Sequence, residues 1–377
     1  MIILGGGLTG VSAAYWLALA GIDCLVLEKH HIASGATGRN AGFILAGVAE
    51  HYSRVVTTLG REKARYLWNL SLENHSLIAS LVEEEGIVCD YRKSGSYLLA
   101  ISPSEFLEIQ ETVKLLREDH FSSVRLPEAR IAEVLSLKGF SGGSFNSYDG
   151  ELDPVAFVRG LASAAHRKGA RFAEETPVLE VLQRDSSGVR VRTPEGIVEG
   201  EILILATNAY TPLVEPSFSD KVFPIRGQIL STTPVDARLL DGVVYADYGD
   251  RYFRQTLDGK LVIGGWRKWD EAREVGFEEE TTDSIQSKLE EFLAEQFPLA
   301  NVEITHRWAG IMGFSRNGLP MIGPLPGDSS CLVAIGYTGH GFGFGVRAGK
   351  ILAELVVNGK SSAPLELFSP RRQSLSR

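Results

Sequence analysis

The chain has 377 residues, 44% of them hydrophobic and 23% charged, which excludes a disordered chain and leaves material for two or three folded units. Asp plus Glu (47) outnumber Lys plus Arg (38), and the net charge of −9 speaks against a basic nucleic-acid surface. The most apolar stretch, residues 11–27, is broken by Gly21 and Asp23 and falls short of the ~20 residues of a membrane span. No signal-peptide pattern precedes the first strand. Cys24, Cys89 and Cys331 show no CxxC pairing, so neither a disulfide framework nor a metal site is expected, and a reducing, cytoplasmic setting is.

In chain order, residues 1–4 read as a short strand ending in Gly5-Gly6-Gly7. Residues 10–20 read as a helix with Val11, Tyr15, Leu17 and Leu19 on its apolar faces. Gly21 ends it, and 23–27 form a second buried strand before Glu28. Residues 51–85 are strongly helical, 96–101 a strand, 103–119 and 127–137 helices. Asp153 and Pro154 open a helix to 168, because Asp caps well and Pro suits the first helical position. Strands follow near 177–183, 188–192 and 201–206, then consecutive strands over 223–265 and a helix over 281–297. A strand at 332–335 leads through a glycine-rich turn into a helix to about 357. The tail from 361 is expected to be mobile, with Arg371, Arg372 and Arg377 at its end.

Strand, glycine turn, helix, strand and acid within some thirty residues is the βαβ outline of a dinucleotide fingerprint. Gly5 permits the tight turn, Gly7 lets a pyrophosphate approach the backbone, and Gly10 allows close helix–strand packing. The helix start offers free N–H groups and partial positive charge to phosphates, and Glu28 accepts from ribose hydroxyls. An acid at that position disfavours a 2′-phosphate. A second small-residue loop follows, Ser34-Gly35-Ala36-Thr37-Gly38-Arg39-Asn40-Ala41-Gly42, suited to passing tightly along a large flat ligand.

With these pieces the chain resembles the D-amino-acid-oxidase-type flavoenzymes: glycine oxidase, sarcosine oxidase and γ-glutamylputrescine oxidase. Further matching pieces occur in family order: Asp153-Pro154, Thr176-Pro177-Val178, Ala206-Thr207-Asn208-Ala209-Tyr210-Thr211, Pro224-Ile225-Arg226-Gly227-Gln228, Tyr252-Phe253-Arg254, Trp308-Ala309-Gly310, Pro320-Met321-Ile322-Gly323 and Gly336-Tyr337-Thr338-Gly339-His340-Gly341. The resemblance implies an α/β fold. A discontinuous Rossmann-like FAD-binding domain (1–85, 146–215, 306–365) is joined to an α+β substrate domain on a mostly antiparallel sheet (86–145, 216–305), with a tail at 366–377. It implies non-covalent FAD, since Arg39 stands where some relatives carry a tethering His and the segment just before Pro320 contains no Cys. The implied cofactor set is Gly5, Gly7, Leu8, Thr9, Gly10, Glu28, Lys29, Ser34, Thr37, Gly38, Arg39, Asn40, Ala41, Gly42, Val178, Ala206, Thr207, Gly310, Gly339, His340, Gly341, Phe342 and Gly343. The first strand is a few residues shorter than relatives usually have, either a short strand or a late start.

The implied reaction is oxidation of an amine or N-substituted amino acid by hydride transfer to flavin N5, giving an imine that hydrolyses, with O₂ or another acceptor reoxidising the flavin. A helix starting near Gly341 aims its positive end at the charge of reduced flavin. Tyr252, Arg254 and His340 are the candidate catalytic residues; Phe253 and Trp266 are expected in the same wall. Met312 stands where glycine oxidase relatives carry a carboxylate-binding Arg, which points to a larger amine unless Arg254 or another cation substitutes. Asn317 stands where many relatives have Asp. No nucleic-acid partner is expected. The alternatives are a flavin domain acting on a modified tRNA base and a non-catalytic FAD-binding protein.

Overall fold

Ile2–Leu4 is a three-residue buried strand, short because Gly5-Gly6-Gly7 turns the chain at once into the helix Leu8–Leu19. The computed structural model describes residues 1–299 and 302–375; residues 300, 301, 376 and 377, and with them Arg377 of the expected tail, lie outside the described residues. The strand lies parallel to Leu203–Leu205 on one side and Leu25–Leu27 on the other, with Ile2 opposite both Leu203 and Leu25. Arg171–Ala173 extends this sheet beyond Leu25–Leu27, and Asp328–Ile335 with Met321–Leu325 completes six strands at the other edge. Its central strands are apolar on both faces because both are covered. Ile3, Val26 and Ile204 pack under helices, while Ile2, Leu4 and Leu27 pack against Val189 and Val191 of a three-stranded antiparallel sheet.

The helix Gly341–Asn358 lies against Leu8–Leu19 at a separation only glycine permits. A Cβ at Gly345 would lie 2.7 Å from Leu8 Cδ2, and one at Gly349 2.6 Å from Ala13 N. Ser12 Oγ donates to Val346 O across the seam at 2.8 Å. Asn74, fully buried on the helix Arg61–Glu84, inserts into the first turn of Gly341–Asn358. Its Nδ2 donates to Phe342 O (2.7 Å) and its Oδ1 accepts from Val346 N and Arg347 N (3.0 Å each).

The second layer is an eight-stranded, mostly antiparallel sheet that runs from Ile304–Ser315 through Val222–Pro234, Lys260–Gly265, Arg251–Gln255 and Val243–Ala246 to Ser96–Ala100, Gly142–Asn146 and Val124–Pro127. Leu99, Phe253 and Ile263 pack on its rear with Ile285, Leu289 and Phe292 of the helix Asp283–Gln296. A parallel sheet and a mostly antiparallel one therefore both occur as expected. Among the described residues no helix is long and apolar enough to cross a membrane.

Four expectations are corrected. The helix over 51–85 is two, Tyr52–Leu59 and Arg61–Glu84, because Gly60 takes φ +87°. The boundary at 306 falls inside the strand Ile304–Ser315, which pairs with Val222–Pro234 over most of its length. The described part of the tail is docked, not loose: Phe368 is fully buried and its carbonyl accepts from Ile322 N at 2.8 Å. Arg372 reaches Leu319 O and Asn317 Oδ1 at 2.7 Å each, which gives Asn317 a structural task. Trp266 and Phe253 belong to the apolar rear of the sheet, Trp266 against Phe292 at 4.9 Å, and not to the wall facing the cavity.

Candidate active site

Between the two sheets lies a cavity of about 440 Å³, lined at one end by Gly5, Glu28 and Val178 and at the other by Tyr252, Met312 and His340. Its first end is shaped by backbone. Gly5 takes φ +105°, and a Cβ there would lie 2.7 Å from Ala206 O; a Cβ on Gly10 would lie 2.0 Å from Gly5 O. Glu28 receives Gly6 N on one carboxylate oxygen (2.7 Å) and His30 N on the other (2.9 Å), which fixes its direction and leaves a lone pair on each oxygen. The helix Leu8–Leu19 begins at Gly7 with no side-chain cap and no acid in its first turn, and Leu8 N donates to Thr37 Oγ1 at 3.0 Å.

Loop 34–42 is braced from within. Asn40 Nδ2 donates to Ala36 O (3.0 Å) and Thr37 O (2.6 Å), while its Oδ1 accepts from Gly42 N (2.7 Å). Arg39 lines the cavity but its guanidinium is committed to Ser34 O (2.8 Å), Ala309 O (3.2 Å) and the Glu279 carboxylate (2.6 Å). Tyr210 OH donates to the other Glu279 oxygen at 2.6 Å, and Lys29 stacks over the Tyr210 ring at 3.8 Å.

The far end is built from side chains of the eight-stranded sheet. Tyr245 and Tyr252 are cross-strand partners with ring centroids 6.4 Å apart. Burial raises both phenols above their ordinary value, with Arg267 pulling the other way, so both remain protonated. Met312, Phe314 and Arg267 complete this end. His340 sits at the cap position of Gly341–Asn358, a helix start that again has no side-chain cap and no acid in its first turn. Burial pushes the His340 imidazole down to about 4 from 6.5, and Arg267 adds to the shift. Its place at a helix N-terminus works in the same direction, so the ring is neutral at pH 7.

The family described as FAD dependent oxidoreductase matches residues 1–355. This chain belongs to that family of FAD-dependent oxidoreductases. It is 29% identical over 371 residues to the probable oxidoreductase OrdL of Haemophilus influenzae, covering 94% of this chain and 82% of that one. It is 28% identical to the γ-glutamylputrescine oxidoreductase of Escherichia coli over 94% of this chain and 82% of that one. The glycine oxidase structure from Geobacillus kaustophilus superposes with a TM-score of 0.85 over 98% of this chain and 97% of that one, at 24% identity, a likeness of fold.

The residues of this oxidoreductase fit FAD on their own terms. Two helix starts whose own cap residues make no side-chain bond, at Leu8 and Gly341, open on one cavity, suited to the pyrophosphate and to the anionic edge of a reduced flavin. A Cβ on Gly343 would lie 2.8 Å from Leu45 O and one on Gly310 2.7 Å from Arg39 Cβ, so these glycines keep the passage narrow and flat.

Most of the expected residues reach the cavity: Gly5, Gly7, Leu8, Thr9, Glu28, Lys29, Thr37, Arg39, Asn40, Ala41, Val178, Ala206, Thr207, Gly310, Gly339, His340, Gly341, Phe342, Gly343 and Tyr252 all line it. Gly10, Ser34, Gly38 and Gly42 stand behind the wall. A Cβ on Gly38 would lie 2.2 Å from Ala33 O, and one on Gly42 2.2 Å from Leu152 O, so both serve packing. Arg254 is the larger correction. It shares a sheet face with Tyr252 but reaches Glu151 (Nη1 to Oε2, 2.9 Å), which also receives Arg92. Both Arg254 and Glu151 are buried, and Arg254 has no place on the cavity wall. The sequence reading missed Tyr245, Tyr248 and Arg267. The usable signal for Tyr245 was its place on a strand opposite Tyr252; Tyr248 follows in a left-handed turn and Arg267 follows Trp266, which takes φ +59° and redirects the chain after Gly265.

Proposed function

We propose that this oxidoreductase oxidises an amine or an N-substituted amino acid to an imine that hydrolyses. The observation that carries the reading is the character of the far end: among the described residues lining it there is no carboxylate, its one histidine is neutral, and its two central tyrosines are protonated. FAD supplies the hydride acceptor. The protein then has no strong base to offer and needs none if the substrate binds as the neutral amine. Tyr245, Tyr252 and Met312 exclude water and orient the C–H bond, Arg267 disfavours a second positive charge, and the Gly341 helix start favours the negative charge that the cofactor gains. The name of the E. coli relative, γ-glutamylputrescine oxidoreductase, supports the same class.

The test is an anaerobic titration of the yellow holoprotein with polyamines, N-methyl amino acids and amino acids of both hands. At least one class is expected to bleach the flavin and to yield an aldehyde or keto acid with release of an amine or ammonia. Readmitted air separates an oxidase, which forms peroxide, from a dehydrogenase that stays reduced until a quinone-type carrier is added. A holoprotein that stays yellow throughout overturns the reading.

A further inference from the structure

The face of strand Ile304–Ser315 that looks into the cavity acts as a ruler. Gly310 meets Arg39 of loop 34–42, with a built Cβ 2.7 Å from Arg39 Cβ. Met312 comes next, against Gly227 and Gly339, where built Cβ atoms lie 2.9 Å and 3.9 Å from its thioether. Phe314 follows on the same face, and the Arg267 guanidinium stacks on its ring at 5.3 Å. Each of these steps is about 7 Å. The cation therefore lies one step beyond Met312 and two beyond the loop expected beside the flavin.

Among the described residues the only charge paired with the Arg267 guanidinium is the buried Asp250, and at long range. That carboxylate is 3.9 Å away, outside hydrogen-bond reach, and the Arg267 side chain keeps 23% of its surface. Arg39, the other arginine lining the cavity, is neutralised by Glu279. Lys29 belongs to the end that holds Glu28. A guanidinium presented with free planar donors in a partly enclosed, apolar-walled space is suited to a carboxylate.

We infer that Arg267 is an anion-binding residue of the substrate site, and that the preferred substrate is an amine carrying a carboxylate at the end of a spacer of several atoms rather than on the carbon that is oxidised. This rests on the amine-oxidation reading above and adds the position of the acid. The closest carboxylate site consistent with the ruler lies a strand step from Met312, too far for the acid of glycine while its C–H bond lies beside the cofactor.

The experiment uses the FAD-loaded protein. In anaerobic stopped flow, 4-aminobutanoate and 5-aminopentanoate are expected to reduce the flavin about 30-fold more efficiently than glycine or the matched alkylamines. Arg267→Met should erase that preference, lowering the efficiency of the acids relative to the matched alkylamines about 30-fold, and Arg267→Lys should recover part of it. A second readout needs no turnover: glutarate and butanoate should perturb the flavin absorption spectrum of the wild type and lose affinity in Arg267→Met. If acids and alkylamines reduce the flavin equally well, or Arg267→Met leaves both the preference and the carboxylate titration unchanged, the inference is overturned. If no amine reduces the flavin while carboxylates bind through Arg267, amine oxidation falls and the anion site stands.

Discussion

At the Glu28 end of the cavity the protein presents backbone; at the Tyr252 end it presents side chains. The first end is centred on residues 5–28, neighbours in sequence, where the spacing of three glycines and one acid sets the geometry against Val178 and Ala206. The second draws on strands near residues 245, 252 and 312 and on a helix start at 340, and its chemistry depends on which way each side chain points. A backbone-built site tolerates almost no added atom, whereas a side-chain-built site tolerates exchange and changes its preference instead.

The strongest way to break that contrast is Gly10→Val. The new Cβ would lie 2.0 Å from Gly5 O, a backbone atom pinned by the strand, so neither partner yields. The expected result is a loss of about 3 kcal/mol or more and a protein that purifies colourless, read from the ratio of flavin to protein absorbance and from a thermal melt. A yellow Gly10→Val protein of unchanged Tm would show that the fingerprint is looser than its contacts indicate.

This difference also explains what the sequence disclosed. The fingerprint and the Gly341 helix start were legible because glycine spacing encodes close approach directly, and the parallel sheet followed from it. The role of Arg254 was not legible: a cation on an apolar strand calls for a partner, but only the fold reveals that Glu151, some hundred residues away in sequence, supplies it. Arg267 was hidden for the opposite reason, since a Trp-Arg-Lys run at a strand end looks like a solvated turn until the left-handed Trp266 is known. The docked tail was misread because the apolar run at Leu365, Leu367 and Phe368 is too short to show a helix or strand period, and the partners of Phe368 and Arg372 at Phe344 and Asn317 lie far back in the chain.

The second test sits behind the cavity wall. Glu151 holds both Arg254 and Arg92, and Glu151→Ala would leave a buried guanidinium without its counter-charge. That is expected to cost about 3–5 kcal/mol in chemical denaturation. Arg254→Met should cost less, because Glu151 keeps Arg92, and should leave the rate of flavin reduction close to wild type. A large loss of rate at unchanged stability would put Arg254 back at the substrate.

A pH test addresses the far end. His340 is held near 4 in the fold against 6.5 in the unfolded chain, so between these values the unfolded state binds the extra proton. Its contribution to stability is therefore complete above pH 6.5 and is lost as the pH falls toward 4. Between pH 6.5 and 5 the wild type should lose about 2 kcal/mol more than His340→Gln, measured by urea denaturation in excess FAD. Burial holds the imidazole down and Arg267 adds to it, while a backbone hydrogen bond with Thr338 and the Asp149 carboxylate oppose them. Parallel stability curves for the two proteins would mean that the ring is protonated in the fold or solvated there.

The smallest expected effect concerns the clasp that joins the two ends. Glu279 lies beyond the eight-stranded sheet's Lys260–Gly265 strand, yet it binds Arg39 and Tyr210 of the nucleotide end, both of which line the cavity. The Arg39 and Glu279 side chains keep 30% and 29% of their surface, so solvent screens the pair and its net worth is about 0.5–1 kcal/mol. Glu279→Gln should accordingly speed FAD release about two- to fivefold, followed by the rise in flavin fluorescence after dilution, without moving the amine preference. Raising the salt to about 1 M should bring the wild type toward the variant, since surface attraction is screened over about 3 Å there. If release were unchanged, cofactor retention would belong wholly to the backbone-built end. A hundredfold acceleration would instead make the clasp a structural part of the nucleotide site, and the division between the two ends would have to be redrawn around Arg39.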